Sequence, residues 1–199
     1  MEFSENKINE IRNIVENKYK TKYPDKMDRY NHILGVAKMA KYLSNIYNID
    51  SSRAEICGLV HDYYKYESED EMKKLINPKD AQECAKYPVL YHSYASAESL
   101  ENVFGIIDPE MKSAIRNHVF GHTNMTRLEE IVLISDYTEE NRKYDDCIKV
   151  RNVLLSGDLN QAIYDSTKYV INFLNKKNIV PHPMQYEVLN EYERKIKNE

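Results

Sequence analysis

Tryptophan is absent from the 199 residues, and glycine, proline and cysteine are scarce. So few glycines and prolines leave little material for the many tight turns of a β-sandwich, and the composition favours an all-α fold. The cysteines, Cys57, Cys84 and Cys147, are odd in number, lie far apart and form no Cys-x-x-Cys pair. This spacing argues against a disulfide framework and against a cysteine-based zinc site, so we expect reduced thiols.

A strong excess of charge of one sign is missing as well, since the formal net charge is −4. Without a basic stripe, nucleic acid is not expected as a partner. No apolar run approaches the length of a membrane span, and the N-terminal sequence MEFSENKINEIR lacks the apolar core of a signal peptide. We therefore predict a cytoplasmic protein with no membrane partner.

Apolar residues recur at helical spacing through most of the chain. The pattern predicts helices over about 4–19, 25–47, 90–103, 109–118, 128–137, 146–155 and 160–175, a helix starting near 53, and a last helix starting near 185. The charged stretch 67–87 predicts short helices and loops, with one of the helices around Met72, Leu75 and Ile76. No repeat or low-complexity linker divides the chain, so a single domain over 1–199 is expected.

Histidine or aspartate stands on the apolar side of several predicted helices, where core residues are expected. These residues are His32, His61 with Asp62, His92, His118 and Asp136. Taken singly, each histidine is best explained as a hydrogen-bonded core residue. Together they favour a shared explanation, because buried ionisable groups are costly unless they are paired or bind a metal. A nitrogen and oxygen donor set suits iron or manganese better than magnesium or calcium.

The order of these residues resembles the H…HD…H…H…D signature of the HD superfamily of phosphohydrolases. Separate blocks are similar to its YqeK-like branch, the symmetrical bis(5'-nucleosyl)-tetraphosphatases: RYNHILGVAKMAKYL from Arg29, AEICGLVHDYYK from Ala54 and AIRNHVFGHTNMTRLEEIVLISDYTEENR from Ala114. The likeness spans about 27–183. It implies an all-α HD-domain bundle with a core over about 27–140, on which C-terminal helices over 144–199 pack.

The resemblance also implies a metal centre with one or two divalent or mixed-valence ions, iron or manganese. One ion would be held by His32, His61, Asp62 and Asp136, and the other by Asp62, His92 and His118. The activity implied is symmetrical hydrolysis of diadenosine tetraphosphate to two ADP molecules by metal-activated water. Asp62 and Lys65 are the expected catalytic residues.

Three cations are candidates for binding the phosphates of a nucleotide. Lys65 and Arg29 lie about one helical turn from proposed ligands, and Arg142 follows Asp136. The chain departs from the branch at Tyr64, where a small residue is usual, and at Glu140, where proline is usual. Tyr64 could narrow the pocket and change the substrate preference.

Other interpretations remain open at this point. The same ligands would serve a nucleotidase acting on nucleoside mono- or diphosphates, and a non-catalytic nucleotide-binding module is a further alternative. We leave His122 and His182 outside the site, since Gly121 interrupts the helix before the first and two prolines flank the second. The many tyrosines could stack on a nucleobase or form a homodimer surface.

Overall fold

The computed structural model describes residues 2–198, which form α-helices and, within that range, no β-strand. The α-helices are α1 Glu5–Lys22, α2 Met27–Ile46, α3 Ser51–Val60, α4 Glu69–Lys73, α5 Pro78–Lys86, α6 Leu90–Asn102, α7 Pro109–Asn117, α8 Arg127–Thr138, α9 Asp145–Leu155, α10 Leu159–Lys176 and α11 Pro183–Lys197. A 3-10 turn, Pro24–Lys26, precedes α2. The predicted all-α fold is confirmed.

Side-chain caps explain where several helices begin. Ser4 accepts a hydrogen bond from the backbone N–H of Lys7 at the start of α1, as its sequence position predicts. Thr126 and Glu129 form a reciprocal capping box at the start of α8. Because α8 carries Asp136, this cap fixes the first turn of a helix that contributes to the centre described below.

Helices α2 and α3 pack closely against each other at Gly58. A Cβ atom built on Gly58 would lie 2.5 Å from the Cα of Ala37, so only glycine allows this packing. The contact brings the end of α3 against the middle of α2, and with it His61 and Asp62 towards His32.

The end of α3 differs from the prediction. His61 and Asp62 were expected inside the third helix, but α3 ends at Val60, and His61 is its C-cap residue. A series of turns follows, in which the N–H of Lys65 bonds to the carbonyl of Asp62. The short helices and loops predicted for 67–87 are confirmed, since α4 and α5 lie there and Asn77 caps α5.

Helices at both ends of the chain support the middle. The hydroxyl of Tyr19, buried on α1, donates to the backbone carbonyl of Asp62 at 2.9 Å and holds the turn after α3. Near the C-terminus, α10 packs against α8, α9 and α11. Within residues 2–198, no helix is both long enough and apolar enough to cross a bilayer.

Candidate metal centre

The structure brings the predicted ligands together from separate elements. They are His32 on α2, His61 and Asp62 in the turn after α3, His92 in the first turn of α6, His118 at the end of α7, and Asp136 on α8. All except Asp136 are buried. The side chain of Asp136 is 24% exposed, so the centre has one open edge.

Two groups of potential ligand atoms share one carboxylate. His32, His61 and Asp62 form the first group, and Asp62, His92 and His118 form the second. Within each group the candidate ligand atoms all lie within 4.8 Å of one another. Asp136 completes the first group from the side, with its Oδ1 2.9 Å from Nε2 of His32 and 3.9 Å from Nε2 of His61. The carboxylate of Asp62 is therefore common to both groups.

Backbone contacts fix which nitrogen of two imidazoles faces the centre. Nδ1 of His61 lies 2.7 Å from the carbonyl of Gly58, and Nδ1 of His118 lies 2.7 Å from the carbonyl of Ile115. A carbonyl oxygen only accepts hydrogen bonds, so each Nδ1 carries a proton. In the neutral ring, Nε2 then keeps its lone pair and points into the centre, as a metal ligand requires.

Several buried atoms in this centre have no hydrogen-bond partner in the described protein. They include Nε2 of His32, Nε2 of His61 and Oδ1 of Asp62. Nε2 of His32 lies close to Asp136, but the contact lacks hydrogen-bond geometry. An unsatisfied buried polar atom costs about 1–3 kcal/mol. A divalent cation would satisfy these lone pairs together, so the residues fit a metal of the kind bound by nitrogen and oxygen donors.

The protonation states suit metal binding at neutral pH. Burial lowers the pKa of His118 to about 3 and also lowers the pKa of His92, so both rings are neutral. Burial opposes ionisation of Asp62, yet His61 and Lys65 beside it hold its pKa well below the usual range. For His32, burial favours the neutral ring, but the carboxylates of Asp136 and Glu139 raise its pKa. A metal ion would replace the proton that those carboxylates attract.

The three predicted phosphate-binding cations all reach the centre. Arg29 Nη1 lies 3.1 Å from Oδ2 of Asp62, and Arg142 Nη2 lies 2.9 Å from Oδ1 of Asp136. Lys65 Nζ lies 3.0 Å from Nε2 of His92, although a turn and not a helix carries it there. Each cation is about one quarter exposed, so each faces both the buried carboxylates and the solvent.

The residues left outside the predicted site have other contacts. His122 Nε2 lies 2.8 Å from Oε1 of Glu129 and belongs to neither ligand group. His182 caps α11 through its Nδ1, which accepts from the N–H of Met184, and its ring stacks on Phe120. Tyr64 packs edge-to-face against a neighbouring tyrosine ring and lies beneath the ammonium of a lysine on α1.

One buried residue at the centre was not singled out by the sequence. Glu139 follows α8, is 1% exposed, and places Oε1 3.1 Å from Nδ1 of His32. Burial opposes its ionisation, but the hydrogen bond to His32 and a backbone N–H lower its pKa. The neighbouring DYTEENR motif contains the residue, but no periodicity in the sequence marks its side chain as buried.

Two cavities open beside the centre. The first has a volume of about 510 Å³ and is lined in part by His118 and Asp136. Its walls also carry aromatic side chains: Phe120, Tyr137, Tyr144, Tyr169 and Phe173. The second has a volume of about 440 Å³ and is lined by Arg29 and His32 among others. Arg142 and Tyr144 line both cavities, so the two spaces adjoin at one edge of the centre.

Comparison with known proteins agrees with this geometry. The HD domain family matches residues 29–141. Three relatives carry the name bis(5'-nucleosyl)-tetraphosphatase, symmetrical. The protein from Halalkalibacterium halodurans is 37% identical over 78% of this chain and 83% of its own length. That from Bacillus subtilis is 37% identical over 75% and 81%, and that from Staphylococcus aureus is 32% identical over 87% and 90%.

A solved structure extends the likeness to nearly the whole chain. It is described as a predicted HD superfamily hydrolase involved in NAD metabolism from Clostridium acetobutylicum. The two share 29% sequence identity and superpose with a TM-score of 0.81 over 98% of this chain and 100% of the other. The C-terminal helices, which lie beyond the family match, are therefore part of the shared fold.

Proposed function

This chain belongs to the HD domain family, and from that premise we propose that it is a metal-dependent phosphohydrolase that cleaves diadenosine tetraphosphate symmetrically into two molecules of ADP. The observation that carries the proposal is the pair of ligand groups sharing Asp62, with unpaired nitrogen and oxygen atoms at their centre. The name that the three relatives share supports the substrate.

The proposed centre holds two divalent ions, iron or manganese. His32, His61, Asp62 and Asp136 would hold one ion, and Asp62, His92 and His118 the other. Such ions would supply Lewis acids that polarise the phosphate oxygens and make water a better nucleophile near neutral pH. Asp62 would be the most critical residue, because its two carboxylate oxygens face different ligand groups.

Lys65 would contact the phosphates in this proposal. Its ammonium lies 3.0 Å from Nε2 of His92. If that nitrogen held a metal ion, it would have no lone pair left to accept from Lys65, and the ammonium would be available to the phosphates. There it would stabilise the charge that develops on the bridging oxygen as the bond to phosphorus breaks.

The guanidinium groups of Arg29 and Arg142 would bind the outer oxygens of the phosphate chain. Both groups now pair with carboxylates of the centre, Asp62 and Asp136. Ions bound by those carboxylates would compete with the arginines for their charge, and the planar fork of arginine suits phosphate oxygens. Together with Lys65, they would hold the inner phosphates in line for attack by water, with ADP as the leaving group.

A substrate with two nucleosides fits two adjoining cavities. The larger one, of about 510 Å³, offers tyrosine and phenylalanine rings on which a nucleobase can stack. The smaller one, of about 440 Å³, is lined by Arg29 and His32 among others. We propose that one nucleoside enters each cavity and that Arg142, at the shared wall, grips the phosphates between them.

Product analysis tests the proposal directly. Purified protein is incubated with diadenosine tetraphosphate and Mn²⁺ or Fe²⁺, and the nucleotides are separated by chromatography. ADP as the sole product supports the proposal, whereas equal amounts of AMP and ATP would contradict symmetrical cleavage. Asp62→Asn should lower the rate at least about 1,000-fold, since it weakens both ligand groups. Asp70→Asn, on an 88% exposed side chain, is the matched control and should leave the rate unchanged.

The same experiment separates the alternatives. A nucleotidase would release inorganic phosphate from nucleoside mono- or diphosphates and leave the dinucleotide intact. A non-catalytic module would bind nucleotide in a calorimeter without forming any product. Neither alternative is favoured by a specific observation, because the ligand positions carry competent residues and two cavities adjoin the centre.

Three further expectations stay predictions. We propose that residues 1–199 form a single domain, in which helices after about residue 144 pack on a core over about 27–140. We also propose that the protein acts in the cytoplasm. A homodimer remains a proposal, motivated by exposed aromatic side chains such as Tyr144, which is 73% exposed, and Phe173, which is 58% exposed.

A further inference from the structure

The buried carboxylate of Glu139 is not used by the proposed chemistry, yet both of its oxygens are committed. Oε1 lies 3.1 Å from Nδ1 of His32, and Oε2 accepts a hydrogen bond from the backbone N–H of Asn141 at 2.6 Å. The residue sits at the C-terminal end of α8, three residues after Asp136. It therefore contacts the far side of His32, away from the centre.

This contact decides the tautomer of His32. A carboxylate can only accept hydrogen bonds, so Nδ1 of His32 must donate. The other nitrogen, Nε2, is then the one with a lone pair in the neutral ring, and it faces Oδ1 of Asp136 at 2.9 Å. A carboxylate behind a histidine ligand fixes the ring orientation and makes the ligating nitrogen more basic.

A glycine in the middle of α2 makes room for the carboxylate. A Cβ atom on Gly35 would lie 2.2 Å from Oε2 and 2.9 Å from Cδ of Glu139, which is too close for any real side chain. Glycine inside a helix is less favourable than alanine, so its presence here needs a reason. Gly35 lies three residues after His32 and shares its side of the helix. The space that it leaves is filled by the group that orients His32.

Arg151 on α9 fixes the backbone of the same segment. Its guanidinium donates to the carbonyls of Thr138, Glu139 and Arg142. These three bonds hold the segment after α8 from the opposite side, so the carboxylate of Glu139 is positioned by the backbone as well as by its own contacts.

We propose that Glu139 is a positioning residue for the metal centre. We also propose that Gly35, which has no side chain, leaves the space in which the carboxylate of Glu139 reaches Nδ1 of His32. The inference rests on the proposed function only in that the centre binds metal. Glu139 does not coordinate the metal in this proposal, although it lines the smaller cavity. It acts through the orientation and basicity of His32.

Metal affinity measured on the full chain tests this role. Mn²⁺ binding to wild type is followed by calorimetry and by equilibrium dialysis, with no substrate present. Glu139→Ala should lower the affinity for the ion at His32 roughly 10–100-fold and leave the affinity for the ion at His92 and His118 unchanged. Glu139→Gln keeps an acceptor oxygen but loses the charge. Its affinity for the ion at His32 should lie between those of wild type and Glu139→Ala.

The neighbouring Glu140 provides a matched control. It is exposed and its carboxylate pairs with Lys38 at 2.9 Å, so Glu140→Gln makes the same chemical change one residue further on. Its Mn²⁺ affinities should equal those of wild type. Equal affinities in wild type and Glu139→Ala would overturn the positioning role, as would equal weakening of both ions.

The role of Gly35 is tested by a double-mutant cycle. Gly35→Ala should displace the carboxylate and weaken the ion at His32 about as much as Glu139→Ala does. In the Glu139→Ala background the carboxylate that the added methyl would meet is gone, and the next nearest atom is Nδ2 of Asn141 at 3.1 Å. Gly35→Ala should then cause little further loss of affinity. Additive losses would overturn the assignment of Gly35.

Failure of this inference can be told apart from failure of the proposed function. Wild type that binds no Mn²⁺ would overturn both. Wild type that binds Mn²⁺ but yields no ADP from the dinucleotide would overturn only the proposed activity. Loss of folding in a variant is checked by circular dichroism. Because Gly35 and Glu139 lie in different elements, the test does not depend on the folding of a single variant.

Discussion

The carboxylates of Asp62 and Glu67 follow α3 in the same stretch of chain, and their side chains are only 2% and 8% exposed. Their surroundings differ. Oε1 of Glu67 lies 3.0 Å from Nζ of Lys18, and Oε2 lies 2.6 Å from Nζ of Lys22. Each oxygen of Glu67 thus has its own cation, whereas Oδ1 of Asp62 has no hydrogen-bond partner in the described protein.

Glu67 is a buried charge with a structural role, whereas Asp62 is a buried charge that can bind a ligand. A buried ion pair is complete once each charge has a partner, and nothing further is needed from solution. Around Asp62, neighbouring imidazoles present lone pairs and not protons, which leaves several acceptors facing one another. Such an arrangement is costly in isolation and is relieved by a cation. The protein therefore satisfies Glu67 by itself but leaves Asp62 to a ligand.

Metal addition should give the largest difference between the two carboxylates. Mn²⁺ at about 1,000 times its dissociation constant should stabilise the wild-type fold by about 4 kcal/mol, because the ion binds the folded centre. For a chain of this size, that corresponds to a rise in Tm of about 8–16 °C. Differential scanning calorimetry with and without Mn²⁺ measures the shift. In Asp62→Asn most of the rise should disappear, while a change at Glu67 should leave it intact.

An equal effect of Mn²⁺ on Asp62→Asn and on wild type would contradict a metal-binding role for Asp62. If Mn²⁺ raised the Tm of Asp62→Asn as much as that of wild type, the stabilising ion would bind elsewhere. A chelator such as EDTA should return the wild-type Tm to its metal-free value, which excludes an effect of ionic strength.

Much of the metal centre around Asp62 could be predicted from the sequence. Histidines on apolar stripes indicated a buried centre, and several predicted helix ranges, such as 4–19 and 109–118, lie close to the observed α1 and α7. The predicted ligands converge because the local helical period decides which face each side chain takes. The donor types, imidazole nitrogen and carboxylate oxygen, then indicated a metal site.

Other features depended on contacts that no local pattern reveals. Glu139 lies in a polar motif and reads as a surface residue, and only the close packing of α2 against the end of α8 buries it. The end of α3 at Val60 was missed because the following residues have no strong helix breaker. The pairing of Glu67 with α1 joins residues more than forty positions apart, and charge in the sequence alone does not select its partners.

Removing the charge of Glu67 should have a smaller effect, confined to stability. Glu67→Gln leaves Lys18 poorly compensated, since its side chain is 12% exposed and its ammonium lies over two tyrosine rings. We expect a loss of about 2 kcal/mol at pH 7, below the range for fully buried pairs because Lys22 is more than half exposed. Urea denaturation measures the loss, and Mn²⁺ affinity should not change.

The pH dependence of this loss has a definite sign. Burial opposes ionisation of Glu67, but hydrogen bonds from Lys22 and Lys18 lower its pKa below the ordinary value of 4.5. A lowered carboxyl pKa gives stability that is present above about pH 4.5 and is lost as the pH falls through the lower, folded value. The difference between wild type and Glu67→Gln should therefore shrink below about pH 4.5. A difference that grew in acid would contradict the pairing.

The smallest effect should come from a buried carboxylate with more partners than it needs. Glu130 on α8 accepts from the hydroxyl of Tyr192 at 2.5 Å and also pairs with Arg127 at 2.7 Å and Lys195 at 3.5 Å. Tyr192→Phe removes one of these bonds without leaving the carboxylate unpaired, so we expect a loss of about 1 kcal/mol by urea denaturation. A loss above about 3 kcal/mol would mean that Glu130, like Asp62, depends on a partner that its neighbours cannot replace.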